Sequence, residues 1–261
     1  MRPQIPVTGT RIRLIALWVL LAAAAAGAAY LVATWVDRPV PLAGPVKGDL
    51  DETPLDQEVL TRPGVAEFRK LGGRIVADST RPGKPIVEVH APVTPLTDAG
   101  LAHLKEWTAV RVLDLSGTNI SDAGLENLRG LAEVETVFLA FTKIKGDGLA
   151  HLAALPRLAN LDLSKTAIAD QALAHLRGLQ TLQTLSLNDV PITDEGVRHL
   201  ASLSRLRRLD LAGTQVTDDG LVHLQGLAEL RFLSLNYAPV TAAGRMALQK
   251  KIPDLVIGTS E

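Results

Sequence analysis

The chain has 261 residues, of which 47% are hydrophobic and 21% charged, and its formal net charge at pH 7 is −1. This length and apolar content suffice for one or two domains with buried cores, whereas a nucleic-acid-binding protein would need a concentrated basic surface. The absence of cysteine excludes disulfides, zinc–thiolate sites and thiol chemistry.

The N-terminal segment predicts a membrane anchor. Leu14–Val36 runs for 23 residues without a charge, and at about 1.5 Å per residue such a helix spans the roughly 30 Å hydrocarbon core. More arginine precedes this helix than follows it, so residues 1–13 form a cytoplasmic basic tail and the remainder lies outside the cytoplasm. The alternative is a cleaved signal peptide ending at Ala26-Gly27-Ala28 and a secreted protein. Because the sequence beyond that site stays apolar, we favour the uncleaved signal-anchor.

Two short regions follow the anchor. Residues 37–60 contain four prolines and no periodicity, which predicts a flexible Pro-rich linker. Residues 61–85 predict a helix at Pro63–Leu71, a strand at Arg74–Asp78 and a turn ending at Pro85. We interpret this second region as an N-terminal cap over the open end of the repeats that follow.

The remainder of the chain is organised as an internal repeat. Ile86–Pro253 reads as seven gapless copies of 24 residues, which begin at Ile86, Val110, Val134, Leu158, Leu182, Leu206 and Leu230. Apolar residues at positions 4 and 6 predict a half-buried strand, and those at positions 16, 19 and 22 predict a helix. Asp is usual at position 13, where we expect it to cap the helix, and Gly is usual at position 15, where it allows close packing. Each copy must stack on its neighbours, because none can bury its apolar face alone.

This pattern, LxxLxLxxTxITDxGLxHLxxL, resembles the leucine-rich repeat over about two thirds of the chain. It is most similar to the Thr-Asp-x-Gly-Leu form of bacterial envelope-associated proteins, which is related to the ribonuclease-inhibitor-like and cysteine-containing classes. The resemblance implies an α/β fold, a right-handed β–α solenoid whose concave strand face binds partners, usually proteins. Residues 254–261 would then be a C-terminal cap or tail. Val190 and Ala238 replace the position 9 Thr, and Gly146 and Ala242 replace the position 13 Asp, so we expect a side-chain ladder to weaken locally there.

The expected concave face carries positions 2, 3, 5, 7 and 8 of each copy. The candidate partner-binding residues at these positions are Asp114, Phe138, Phe141, Asp162, Arg208, Asp210, Phe232 and Tyr237. Exposed aromatic residues among polar neighbours are typical of interface anchors, which favours binding for the two mid-stack phenylalanines. Phe232 and Tyr237 belong to the last copy, and for them we favour coverage by Asp254–Ile257, because a terminal repeat needs covering.

Five of the six histidines share position 18, namely His103, His151, His175, His199 and His223. A metal ladder is one interpretation of this row. Packed helices lie roughly 8–10 Å apart, however, and no carboxylate recurs beside the row, so we favour a packing or hydrogen-bonding role and predict no metal site. Protonation of the row should then destabilise the stack.

Catalytic signatures are missing from the sequence. It contains no Gly-x-Ser-x-Gly elbow, phosphate-binding loop or His-Glu-x-x-His. The sequence therefore predicts a non-enzymatic, membrane-anchored, extracytoplasmic module that needs no cofactor and binds another protein. The alternative is a structural envelope protein that associates with itself or binds glycans.

Overall fold

The computed structural model describes residues 55–259, so the predicted anchor Leu14–Val36 and most of the linker lie outside the described residues. Contacts divide the chain after Thr53, and the described residues belong to the second unit, Pro54–Glu261. None of the helices between residues 55 and 259 has the length and apolar character needed to cross a membrane.

Nine strands form one sheet in chain order. Their bounds are β1 Arg74–Ala77, β2 Ile86–His90, β3 Val112–Asp114, β4 Thr136–Phe138, β5 Asn160–Asp162, β6 Thr184–Ser186, β7 Arg208–Asp210, β8 Phe232–Ser234 and β9 Val256–Gly258. Strands β2 to β9 are parallel, with partners 24 residues apart, as for Leu113 and Val137. This register is the one that the repeat predicts, because equal copies stack with equal positions side by side.

A helical segment follows the strand of every copy and covers the other side of the sheet. The α-helices are α1 Gln57–Leu60, α2 Val65–Lys70, α3 Leu149–Leu152, α4 Asp194–Val197, α5 Asp218–Val222 and α6 Ala242–Lys251. The 3-10 helices are η1 Asp98–Glu106, η2 Asp122–Leu128, η3 Asp170–Gly178 and η4 Arg198–Ser202. The 3-10 helices η1 and η3 have 9 residues each, more than most of the α-helices, so length does not decide which winding a copy adopts.

The core lies between the sheet and the helices. Side chains at positions 4, 6, 11 and 19 are almost fully buried along the stack, except for the partly buried Val240 of the last copy. Leu113, Leu115, Ile120 and Leu128 are the four within one copy. At the N-terminal end Phe68 of α2 packs edge-to-face on Trp107, with ring centroids 5.9 Å apart. The cap therefore extends the same core instead of forming a separate one.

The flexible linker ends earlier than residue 60. Residues Gln57–Leu60 form helix α1, in which the side chain of Asp56 accepts a hydrogen bond from the backbone N–H of Glu58. Val59 of this helix is 1% exposed and belongs to the core. The expected linker boundary was wrong at this end, because a single helical turn leaves no periodicity in the sequence.

The C-terminal tail also extends the sheet. Residues 256–258 form β9, which pairs with β8 so that Val256 lies beside Phe232 and Ile257 beside Leu233. Each partner is again 24 residues away, so the tail begins an eighth copy of the strand. Leu255 and Ile257 pack against the core and cover the last repeat, as a terminal cap must, while Val256 is 60% exposed.

The helix N-cap lies one residue before the expected position. Thr193, Thr217 and Thr241 occupy position 12, and their hydroxyl oxygens accept hydrogen bonds from backbone N–H groups two or three residues onward. The position 13 Asp is therefore the first helical residue and not the cap. The last copy keeps its cap although Ala242 replaces the Asp.

The position 13 Asp binds the next copy instead. The Oδ1 atom of Asp194 accepts a hydrogen bond from the backbone N–H of Thr217 at 2.7 Å, and its Oδ2 atom accepts one from the Thr217 hydroxyl at 2.7 Å. The same two bonds join three other pairs, Asp98–Ser121, Asp170–Thr193 and Asp218–Thr241. We call these four pairs the aspartate staples, and they tie successive copies together on the helical side of the turn.

The position 15 Gly makes room for this staple. A Cβ atom on Gly220 would lie under 3.0 Å from Oδ1 of Asp194. Where Gly146 replaces the Asp, the next copy carries Ala169 in place of the Thr and Ala172 in place of the Gly. The three positions thus change together, because a copy without the carboxylate needs neither the hydroxyl nor the empty space.

The position 9 Thr plays a different part from the expected ladder. The hydroxyl of Thr118 donates a hydrogen bond to the carbonyl of Leu115 in its own copy, at 2.6 Å. The same bond recurs at Thr94, Thr142, Thr166 and Thr214. Replacement by Val190 or Ala238 therefore removes a bond within one copy and leaves the contacts between copies in place.

Candidate functional site

The side of the sheet opposite the helices, which we call the strand face, presents positions 3 and 5 of each copy. In register, the side chains at position 5 are His90, Asp114, Phe138, Asp162, Ser186, Asp210 and Ser234. We call this set the position 5 row. Its aspartates lie on alternate strands β3, β5 and β7, so the structure brings three of the candidate acids and one candidate aromatic into a single line.

The three carboxylates of the row are held in the same way. Each Oδ1 atom accepts a hydrogen bond from the backbone N–H two residues onward, at 3.1 Å for Asp114, 2.9 Å for Asp162 and 3.0 Å for Asp210. The shared bond fixes the orientation of the carboxylates, since the position 7 N–H occurs at the same place in each copy. The row is thus pre-organised before any partner arrives.

Burial acts against ionisation of two carboxylates in this row. It raises the pKa of Asp162, and the neighbouring charges of Asp210 and Asp114 raise it further, while hydrogen bonds from Ser164 oppose the change. Burial also raises the pKa of Asp210, against a lowering by the hydrogen bond from the Ala212 backbone. Ionised Asp162 and Asp210 therefore cost the isolated protein stability at pH values above their raised pKa.

Replacing Asp162 with Asn should increase the free energy of unfolding at pH 7. A raised folded-state pKa gives stability that is present below the ordinary value of 3.8 and lost as the pH rises through the raised pKa. The advantage of the Asn variant should therefore shrink as the pH falls and vanish below 3.8. Urea unfolding from pH 7 to pH 3.5 measures this, with Asp219→Asn at an exposed helical site as the control. A less stable Asp162→Asn variant at pH 7 would contradict it.

Position 8 lies outside the strands, in the turn that follows each of them, and its backbone is left-handed in every copy. The residues concerned, all with φ between 53° and 68°, are Val93, Gly117, Phe141, Lys165, Asp189, Gly213 and Tyr237. The sequence interpretation missed this conformation, although glycine in two copies and Asp in a third are the residues that tolerate it. The structure thus separates Phe138, in the strand, from Phe141, in the turn.

Large side chains at position 8 are held at an energetic cost. A left-handed residue other than glycine costs roughly 1–2 kcal/mol. In the middle of the stack the ammonium of Lys165 lies 4.7 Å from the centre of the Phe141 ring and 3.6 Å from a carboxylate oxygen of Asp189. Glycine would adopt this backbone conformation without strain. The side chains that are kept at position 8 in spite of the strain therefore have a role of their own.

The aromatic residues of the last copy differ from each other. The guanidinium of Arg208 lies over the Phe232 ring at 4.6 Å, and a Cβ on Gly258 of β9 would lie 3.4 Å from that ring. Tyr237 is 84% exposed. Phe232 therefore has β9 beside it, whereas Tyr237 lies in the turn after β8.

The histidines at position 18 lie on the helical side, away from the strand face. Among residues 55–259, no group of three or more His, Asp or Glu side chains is placed to hold a metal ion. His199 is buried, and its Nδ1 atom accepts a hydrogen bond from the guanidinium of Arg177. An arginine only donates, so this His must be neutral to form the bond.

The stability of the stack should fall as His199 is protonated. Burial lowers the pKa of His199, Arg177 and Arg198 lower it further, and Glu195 and Asp170 oppose the shift. Its contribution is present above the ordinary value of 6.5 and lost as the pH falls through the lowered pKa.

The test compares thermal midpoints between pH 8 and pH 5 for the wild type and His199→Gln, whose amide oxygen can accept from Arg177. The variant should show the smaller fall. His223→Gln, at the exposed residue that follows α5, should behave as the wild type. Equal falls in all three proteins would refute a role for His199.

Comparison with known proteins agrees with this architecture. The family model described as Leucine Rich repeat matches residues 108–128, 178–201 and 204–224. The structure is similar to internalin C2 of Listeria monocytogenes, with 23% identity and a TM-score of 0.57 over 76% of this chain and 86% of that one. It is also similar to a second internalin of that organism (inlF), with 18% identity and a TM-score of 0.52 over 77% of this chain and 55% of that one. None of the curated protein sequences matches the chain.

Proposed function

We propose, since the chain is a leucine-rich repeat protein, that its strand face binds another protein. The observation that carries this proposal is the position 5 row, in which three carboxylates are kept in one orientation although burial disfavours the charge of Asp162 and Asp210. A surface maintained against stability is typical of a functional site. The left-handed side chains of position 8 lie at the end of the same strands and widen the surface.

Co-purification tests this proposal. Full-length tagged chain would be recovered from its native cells as wild type, as Phe138→Ala/Phe141→Ala, and as the control Lys105→Ala/Glu126→Ala, whose residues are exposed on the helices. The wild type and the control should recover the same protein partner, and the strand-face variant should lose it. Equal recovery by all three would reject the strand face. Recovery of the chain alone, or of cell-wall glycan alone, would favour the structural role in its place.

We further propose that the protein is anchored in a membrane by Leu14–Val36, with its repeats outside the cytoplasm. The support is the uncharged length of this segment and the arginines that precede it. Alkaline carbonate should leave the chain in the membrane, and N-terminal sequencing should show residues before Ala26. A protein that begins after Ala28 would instead be secreted. A phosphatase fused after Glu261 should be active only if the repeats are extracytoplasmic.

A further inference from the structure

We propose that the strand face takes a basic segment of its protein partner in the polyproline II conformation, with cationic side chains at every third residue. This inference rests on the proposed function and names the chemistry of the partner. Its basis is the spacing, charge and orientation of the position 5 row, together with the aromatic ring that stands within it.

The acids of the row are evenly spaced. Asp114 on β3 lies beside Phe138 on β4, which lies beside Asp162 on β5, and Ser186 then separates Asp162 from Asp210 on β7. Neighbouring strands are about 4.8 Å apart, so successive acids are about 9.6 Å apart. The row thus repeats one negative charge for every two copies.

The first two acids of the row, Asp114 and Asp162, have no cationic partner among the described residues. Among the residues that the structure describes, neither Asp114 nor Asp162 forms an ion pair. Asp114 is only 8% exposed, and its Oδ1 atom is taken by the Ser116 N–H. Two carboxylates without a cationic partner favour a ligand that supplies positive charge.

The spacing selects the conformation of that partner. A polyproline II helix rises about 3.1 Å per residue with three residues per turn, so side chains on one side recur every 9.3 Å or so. An extended strand brings side chains to the same side about every 6.8 Å, and a regular α-helix about every 5.4 Å. A polyproline II segment laid across the strands therefore matches the acids of the row over their full length.

The ring between the first two acids fits the same ligand. Phe138 stands one strand from Asp114 and one strand from Asp162, so a guanidinium seated between the carboxylates would meet the face or edge of an aromatic ring. Proline rings also pack well on aromatic surfaces, and a polyproline II segment loses little entropy on binding. Lys165, at the strand ends, is paired with Asp189, so its charge does not neutralise the acids of the position 5 row.

Labelled nine-residue peptides and the full-length chain test the inference by fluorescence anisotropy. Three tandem Arg-Pro-Pro units should bind, and binding should weaken as salt is raised from about 0.05 to about 0.5 M, because the contacts are electrostatic. Three Glu-Pro-Pro units should not bind. A peptide of three consecutive arginines followed by six prolines has the same composition as the first, and should bind at least fivefold more weakly.

Asp162→Asn is the informative variant, since it is expected to fold more stably than the wild type. It should bind the Arg-Pro-Pro peptide at least tenfold more weakly, and Asp219→Asn should bind it as the wild type does. Equal binding of the two arginine peptides, or unchanged binding by Asp162→Asn, would overturn the inference. If none of the peptides binds, but Phe138→Ala/Phe141→Ala still loses a native partner, the inference is overturned and the proposed function stands.

Discussion

Replacing Asp194 with alanine should lower the free energy of unfolding by about 3 kcal/mol, since two hydrogen bonds to a charged group are lost and each contributes about 1.5 kcal/mol. The backbone N–H and the hydroxyl of Thr217 both lose their acceptor. Urea unfolding of the full-length chain measures the change. The thermal midpoint should fall by roughly 6–12 °C, because 1 kcal/mol corresponds to roughly 2–4 °C in a domain of this size.

Asp219→Ala is the matched control for this experiment. Asp219 belongs to the same kind of helix start but is exposed, and only its backbone N–H takes part in capping. Its replacement should change the free energy of unfolding by less than about 0.5 kcal/mol. If both alanine variants were equally stable, the two hydrogen bonds of Asp194 would contribute no more to the free energy of unfolding than an exposed surface charge does.

Replacing Gly220 with alanine should have an effect of the same size. The added Cβ would lie under 3.0 Å from Oδ1 of Asp194 and 2.8 Å from a methyl carbon of Val216, so the helix start must move away from the preceding copy. Overpacking of this kind costs about 1–3 kcal/mol, and the lost staple adds to it. Gly226→Ala is the control, because its Cβ would meet no atom within 4 Å.

The two substitutions should not be additive. In the Asp194→Ala background the carboxylate that blocks the new Cβ is gone, so Gly220→Ala should be less harmful there than in the wild type. A coupling of roughly 1 kcal/mol or more is expected for residues in contact. Simple additivity would contradict the view that position 15 is glycine because of the position 13 carboxylate.

Much of the fold could be predicted from the repeat. The apolar positions of seven equal copies defined the strands, the helices, their register and the core, because stacked copies bury the same positions each time. The leucine-rich repeat assignment is confirmed by the family model and by the fold. The short helix at Gln57–Leu60 and strand β9 were missed, since single turns and single strands at the ends of a stack carry no period.

The roles of the recurring polar residues were harder to predict. A Thr-Asp pair before a helix is compatible with either residue as the N-cap, and only the structure shows the Asp reaching the next copy. One sequence signal could have revealed this bond. Where Gly146 replaces the Asp, both Ala169 and Ala172 depart from the pattern one copy later, which is the distance that the staple spans.

The sequence predicted which repeat positions form the candidate site, but it did not predict the backbone conformation or the burial of the residues there. Alternation along the strand placed Asp114, Phe138 and Asp162 on one face, and the register then aligned them. The left-handed backbone at position 8, which moves Phe141 and Tyr237 into the turns, depends on the path of the chain between sheet and helix. The buried environment that raises the pKa of Asp162 likewise depends on neighbouring copies.

Photo-crosslinking in native cells tests most directly whether the strand face is the part of the repeats that recognises a partner. A photoreactive amino acid would replace Asn160, which is half-buried at position 3 of β5, or Glu126, which is exposed on η2 at the opposite side. We expect a covalent adduct with one protein partner from the Asn160 site and none from the Glu126 site. Adducts from Glu126 alone would place recognition on the helical side and contradict the account.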